Sequence, residues 1–243
     1  MLILIDNRGK KYLIKENQDF QTDQGIIPKE KLIDIKAGDC LKTHLDYEIK
    51  VVQADVNDLI DLMQRNCSIL LPKDIGLVIS HTGLSNGSKV VDAGTGAGAI
   101  ALHFANIVGP SGHVYTYEIR EDFAKIAKKN IDLFKLDNIT VKNQDIKEGI
   151  DEEDVDLVFL DLPRPVEALE TVYDSLKVGG WLAVYAPYIE QIQSVHKISK
   201  KVGFDEVKII ECILREMEVR NRGTRPKTRM VGHTGYLVFA RKL

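Results

Sequence analysis

The chain has 243 residues, of which 44% are hydrophobic and 28% charged, a composition that argues against a disordered or low-complexity protein and a length that allows one large domain or one plus a small appendage. Its net charge of −3, from 33 Lys and Arg against 36 Asp and Glu, announces no nucleic-acid partner, so any such partner has to be argued from local clustering. There is no run of about 18 apolar residues to cross a membrane, and the three widely spaced cysteines, Cys40, Cys67 and Cys212, form neither a disulfide framework nor a zinc-knuckle spacing and point to a reducing cytoplasm.

In chain order, residues 1–52 read as short β segments, LILID, KYLI, KLIDI, DCLKTHL and YEIKVVQ, broken by turn material. Asp55 caps a short helix over 56–63. From Pro72, a residue suited to a first helical turn, strands and helices alternate. Strands are expected at 89–93, 113–118, 139–142, 156–161, 181–186, 206–214 and 236–240. Helices are expected at 98–108, 121–134, 166–176 and 189–202. This alternation predicts parallel βαβ units in a doubly wound α/β sheet, with the last two strands antiparallel at one edge. Residues 1–65 are taken as a small N-terminal β domain and 66–243 as the α/β domain.

The strongest local signal is Val90-Val91-Asp92-Ala93-Gly94-Thr95-Gly96-Ala97-Gly98-Ala99-Ile100. A strand runs into a glycine turn that opens a helix, a geometry that lets a nucleoside approach bare backbone. Glu118 follows 20 residues after Gly98, at the end of the next strand, where a carboxylate accepts from ribose hydroxyls. NAD and S-adenosylmethionine both use such a turn. Asp92 discriminates between them, because a carboxylate there repels a pyrophosphate and suits an ammonium group. The bland alternative is a glycine turn kept only for tight packing.

A second signal is the apolar strand that ends in Asp161-Leu162-Pro163-Arg164-Pro165. Ligands of open α/β sheets bind at the carboxyl ends of the strands, so Asp161 points at the reacting centre and the prolines stiffen its turn. The alternative is a plain helix cap. A third is charge: residues 215–243 carry 8 Lys/Arg and 2 Asp/Glu, a net +6. Arg220, Arg222 and Arg225 lie in this segment and could hold phosphates; a solvated hairpin is the alternative. No metal-ligand cluster appears in the sequence pattern.

Four stretches resemble the tRNA (adenine-N1)-methyltransferase family over nearly the whole chain. They are 62–74, ending Leu71-Pro72-Lys73-Asp74; the glycine turn with Glu118; the Asp161 strand end; and the terminal Gly232-His233-Thr234-Gly235 strand. Val166 stands where many members carry Trp, and Leu71 where many carry Tyr. The resemblance implies a Rossmann-like, seven-stranded S-adenosylmethionine-dependent methyltransferase fold. It also implies cofactor contacts from Leu70, Thr95, Gly96, Ala97 and Phe123, with Asp145 receiving the cofactor adenine amino group. By the same resemblance Asp161 is the catalytic residue, the substrate is tRNA methylated at T-loop adenine 57 or 58, and the enzyme is a homotetramer without membrane attachment. The competing expectations are a small-molecule or protein methyltransferase on the same fold and a non-catalytic tRNA-binding partner.

Overall fold

A computed structural model describes every residue except Glu16. Two compact units divide the chain, Met1–Gln64 and Arg65–Leu243.

The first unit contains β1 (Leu2–Asp6), β2 (Lys11–Leu13), β3 (Phe20–Thr22), β4 (Gly25–Ile27), β5 (Cys40–Lys42), β6 (Glu48–Gln53) and α1 (Val56–Leu62). Four of these strands form an antiparallel sheet in the order β2-β1-β6-β5, and β3 pairs with β4. Alternate residues of β1 and β6 face one way, so Leu4, Ile49 and Val51 meet Phe20 and Ile27 in a small core. Asp55 accepts from the backbone N–H groups of Asn57 and Asp58, while Asp58 accepts from Asp55 N–H, a reciprocal cap that starts α1. The strand expected over KLIDI does not form: a 3₁₀ turn, Lys29–Leu32, takes its first two residues and a bend the next two. Pro28 has no N–H to give a ladder, and Asp34 sits at φ 58°, which breaks extended backbone.

The second unit contains α2 (Pro72–Thr82), β7 (Lys89–Ala93), α3 (Ala99–Val108), β8 (His113–Tyr117), α4 (Glu121–Phe134), β9 (Ile139–Lys142), β10 (Val155–Leu160), α5 (Leu169–Ser175), β11 (Leu176–Ala186), α6 (Ile189–Val202), β12 (Asp205–Glu211), β13 (Met217–Arg220), β14 (Gly223–Pro226) and β15 (Tyr236–Arg241). Its seven-stranded sheet has the order β12-β15-β11-β10-β7-β8-β9. The strands from β11 to β9 are parallel, and β15 runs antiparallel to both β11 and β12. The fold is therefore an α/β, doubly wound sheet. The last two strands do pair antiparallel, but β15 is inserted one place inside the edge. Strand β10 is buried along nearly its whole length, as a strand covered on both faces must be.

Three boundaries differ from expectation. The helix expected from Val166 begins as a 3₁₀ turn, Pro165–Ala168, and becomes α-helical only from Leu169 to Ser175. Leu176 starts β11 rather than ending a helix; its pairing with Val155 is followed by a register shift before Leu157 meets Trp181, and Gly179 and Gly180 lie in that stretch. The strand expected to reach Leu214 stops at Glu211. Among the described residues no helix is long and apolar enough to cross a membrane.

Candidate active site

The chain winds outward from β7 through β8 to β9, then returns to place β10 on the other side of β7. The carboxyl ends of β7 and β10 thus mark the point where winding reverses, the place where open α/β sheets leave a crevice. Both sequence signals end there. The Asp161 N–H donates to Ala93 O at 2.9 Å, which ties the two strand ends together. Gly94, at φ 93°, has Asp161 O only 2.2 Å from where a Cβ would stand, so no side chain fits. Gly96, at φ 53°, lies against the Cys67 thiol, 3.1 Å from a Cβ position.

A cavity of about 300 Å³ opens beside this turn, with Gly94, Glu118, Ile119, Asp145, Ile146 and Leu162 among its walls. Glu118 is buried and already oriented. Its Oε2 accepts from Gly96 N–H at 3.0 Å and its Oε1 from Arg120 N–H at 3.0 Å. Each oxygen keeps a lone pair for a ligand hydroxyl. Asp145 accepts from Lys147 N–H, and Lys147 in turn bridges to Glu167 at 3.2 Å, joining the loops after β9 and β10 across the cavity rim.

Beneath the turn, Asp92 is fully buried. Its Oδ2 accepts from the Thr116 hydroxyl at 2.6 Å, and Thr116 lies 2.5 Å from the Thr95 hydroxyl. Among the described residues Oδ1 meets no donor. Burial, reinforced by the charges of Asp161 and Glu118 and opposed by the Thr116 bond, pushes the Asp92 carboxyl up to about 7. Burial alone raises Asp161 to about 6. Carboxylates this short of donors are complementary to a cation. Together with the apolar cavity and the bifunctional Glu118, they fit a nucleoside that carries positive charge.

The remaining sequence candidates fall in different places. Thr95 and Ala97 are buried within the turn, and Gly98 occupies the N-cap of α3 at φ 93°. Ala97 O accepts from Asn130, which anchors the turn to α4. Phe123 lies under the Arg120 guanidinium, 3.9 Å from its ring centre. Leu70 is buried just ahead of α2. None of Asp92, Thr95, Gly96, Ala97, Gly98, Phe123, Leu70 or Asp161 lines the cavity itself. The three arginines are separate again. Arg220 and Arg225 flank the exposed β13–β14 hairpin and Arg222 sits in its turn. Glu218 holds Arg220 at 2.8 Å and Arg225 at 2.6 Å, so much of the positive charge there is already matched.

From the sequence Tyr185 reads only as a packing or cap residue. The structure sets it at the end of β11, one step beyond the Leu160–Val184 pairing and so next to Asp161. Its hydroxyl donates to Thr234 O at 2.6 Å. The strand-end rule that singled out Asp161 applies equally to Tyr185 and would have found it. Thr116 sits in mid-strand with no sequence signal at all.

Comparison with known proteins follows the same lines. Residues 59–225 match the family described as the tRNA methyltransferase complex GCD14 subunit. The tRNA (adenine(57)-N(1)/adenine(58)-N(1))-methyltransferase TrmI of Methanocaldococcus jannaschii is 39% identical, over 98% of this chain and 94% of that protein. Among solved structures, a SAM-dependent O-methyltransferase from Thermotoga maritima superposes with a TM-score of 0.88 at 31% identity, covering 100% of this chain and 92% of that one. The tRNA (m1A58) methyltransferase TrmI from Aquifex aeolicus superposes with a TM-score of 0.79 at 27% identity, covering 100% and 96%.

Proposed function

The chain belongs to the family of the tRNA methyltransferase complex GCD14 subunit, and from that premise we propose that it forms 1-methyladenosine in the T-loop of tRNA, at position 57, 58 or both. The observation that carries the reading is Asp161, whose backbone is tied to the Ala93–Gly94 turn at the winding reversal and whose buried carboxyl is short of hydrogen-bond donors.

S-adenosylmethionine, when bound, supplies an electrophilic methyl group on a sulfonium. Glu118 would accept from its ribose hydroxyls and Asp145 from its adenine amino group, while Asp92 would offset the ammonium of its methionine part. By the family resemblance Leu70, Thr95, Gly96, Ala97, Gly98 and Phe123 would add contacts from outside the cavity that Glu118 and Asp145 line. On the substrate side, adenine N1 has an in-plane lone pair, and the ring becomes cationic as N1 is alkylated. Asp161, ionised, accepts from the adenine N6 amino group, draws density toward N1 and stabilises the developing charge. N1 lies on the Watson–Crick edge, so the base has to leave its pairing or stack to reach Asp161. Arg220, Arg222 and Arg225 take phosphates of the same tRNA. The enzyme works as a homotetramer in the cytoplasm, which light scattering and fractionation check.

Mass spectrometry of nucleosides from tRNA incubated with labelled cofactor tests the reaction. One-methyladenosine, with reverse transcription halting at one or two T-loop adenines, is the expected result. Methylation of a guanine, a cytosine or a non-RNA substrate overturns it. Oxygen methylation, the activity named for the Thermotoga structure, would show in the same spectra as a ribose or non-nucleoside product.

A further inference from the structure

Two of the sequence stretches that resemble the family, Pro72-Lys73-Asp74 and Gly232-His233-Thr234-Gly235, meet in one buried knot although Lys73 and Thr234 stand 161 positions apart. Lys73 and Asp74 side chains are 6% and 1% exposed and pair at 2.7 Å. The ammonium has three protons and three acceptors: Asp74 Oδ1 at 2.7 Å, Thr234 Oγ1 at 2.7 Å and Cys212 O at 2.8 Å. The Thr234 hydroxyl in turn donates to Asp74 Oδ2 at 3.0 Å. Burying an ion pair is costly unless every proton and lone pair is used, and here each ammonium proton and each carboxylate oxygen is engaged. Asp74 also stands in the first turn of α2, where the helix dipole favours an anion.

What this knot holds is a carbonyl. Thr234 O accepts the Tyr185 hydroxyl at 2.6 Å, and the phenol end of the Tyr185 ring packs against Gly235, 2.4 Å from where a Cβ would stand. A phenol has a single hydrogen to donate. With that hydrogen committed to Thr234, Tyr185 offers none to the neighbouring Asp161.

We propose that Thr234, anchored by the Lys73–Asp74 pair, is a positioning residue that captures the Tyr185 hydroxyl and so keeps the Asp161 carboxylate free to accept from the substrate's amino group. The inference rests on the role given to Asp161 above. If Thr234 lost its anchor, the phenol would turn to the ionised Asp161 and compete with the base. Around Asp161 the relevant groups are Asp92 on β7, Glu118 after β8 and Tyr185 on β11, with Asp74 of α2 acting on Tyr185. Burial holds the Asp161 carboxyl high. A phenol donating to it would bring it down.

Carbon-13 NMR of the full-length, cofactor-free protein labelled at aspartate carboxyls tests this, with the Asp161 signal assigned by its loss in Asp161→Asn. Wild type should titrate near pH 6. Thr234→Val should titrate about 1 unit lower, Thr234→Ser should stay with wild type, and adding Tyr185→Phe to Thr234→Val should restore the midpoint. Gly235→Ala dislodges the phenol without touching the ion pair and should lower the midpoint in the same direction. An unchanged midpoint in both Thr234→Val and Gly235→Ala overturns the proposal, as does a double variant that fails to return. Because the titration needs neither tRNA nor cofactor, absence of 1-methyladenosine in the methylation assay would count against the function alone.

Discussion

Each unit of the molecule buries an aspartate, and the two are treated in opposite ways. Asp6, in the small β unit, is covered by five donors. Oδ1 accepts from the N–H groups of Arg8 and Lys10, and Oδ2 from Arg8 Nε and Nη2 and from the Tyr12 hydroxyl. Burial raises this carboxyl, but the Arg8 guanidinium and the other donors more than offset it and bring it to about 2. Asp92, in the α/β unit, has one donor, Thr116, and climbs to about 7. The first arrangement closes a turn and is complete. The second leaves a lone pair buried and unused, which is costly without a ligand and favourable with a cationic one. A fully partnered carboxylate marks structure, and an under-partnered one at a strand end marks a place for something to bind.

That contrast is sharpest where chemistry depends on it. Asp161→Asn keeps shape and some hydrogen bonding but loses the charge, and turnover should drop by about 10²–10³ while calorimetry finds cofactor affinity reduced far less. Equal losses in both would make Asp161 a binding group. In the wild type, activity should rise with pH through about 6 as Asp161 ionises.

Thermal melts against pH separate the two kinds of carboxylate next. A raised native value means the folded state keeps a proton that the unfolded chain gives up. Asp92 therefore contributes stability below about pH 4 that is lost as pH rises through about 7. Asp92→Asn should remove that decline and stabilise the cofactor-free protein at pH 8 by an amount on the order of a few kcal/mol. It should also weaken S-adenosylmethionine binding. Asp6 has the opposite sign: its contribution is present above about pH 4 and lost as pH falls toward 2. Asp6→Asn should lower the melting temperature at neutral pH and leave cofactor affinity alone. If both variants shift stability in the same direction at pH 8, the distinction collapses.

Glu118 lies between these cases, since backbone N–H groups orient it without exhausting it. Glu118→Ala should cost roughly 1.5–3 kcal/mol for each charged hydrogen bond to the ribose, read by calorimetry. Unchanged affinity would remove it from the cofactor site. The smallest effect concerns the hairpin, where Glu218 partners arginines much as Asp6 partners Arg8. Neutralising Arg220, Arg222 and Arg225 should flatten the salt dependence of tRNA binding by up to about 0.7–0.9 per lost phosphate contact. Glu218→Gln should do the reverse by freeing two guanidinium groups. A salt slope indifferent to both changes would leave the segment as a solvated hairpin.

How much of this is legible from residues depends on range. The glycine turn, its following helix and the apolar strand leading to Asp161 are written in adjacent residues, because φ freedom, helix capping and burial on both faces are local demands. The strand alternation after Pro72 likewise implies a doubly wound sheet, and helices α4 and α6 begin and end where their periodicity says. Short, three-residue strands such as β3 and β4 carry too few side chains for a period to show, and so the small unit is read less well than the large one.

Tertiary structure alone decided the rest. Nothing local says that β15 slips between β11 and β12, that Lys73 reaches Thr234, that Glu218 is shared by two arginines, or that Asp92 ends with a single donor. Those outcomes depend on which distant groups arrive beside a given atom. A charged side chain is the same in any sequence, and only the packed surroundings determine whether it is satisfied, neutralised or left waiting for a ligand.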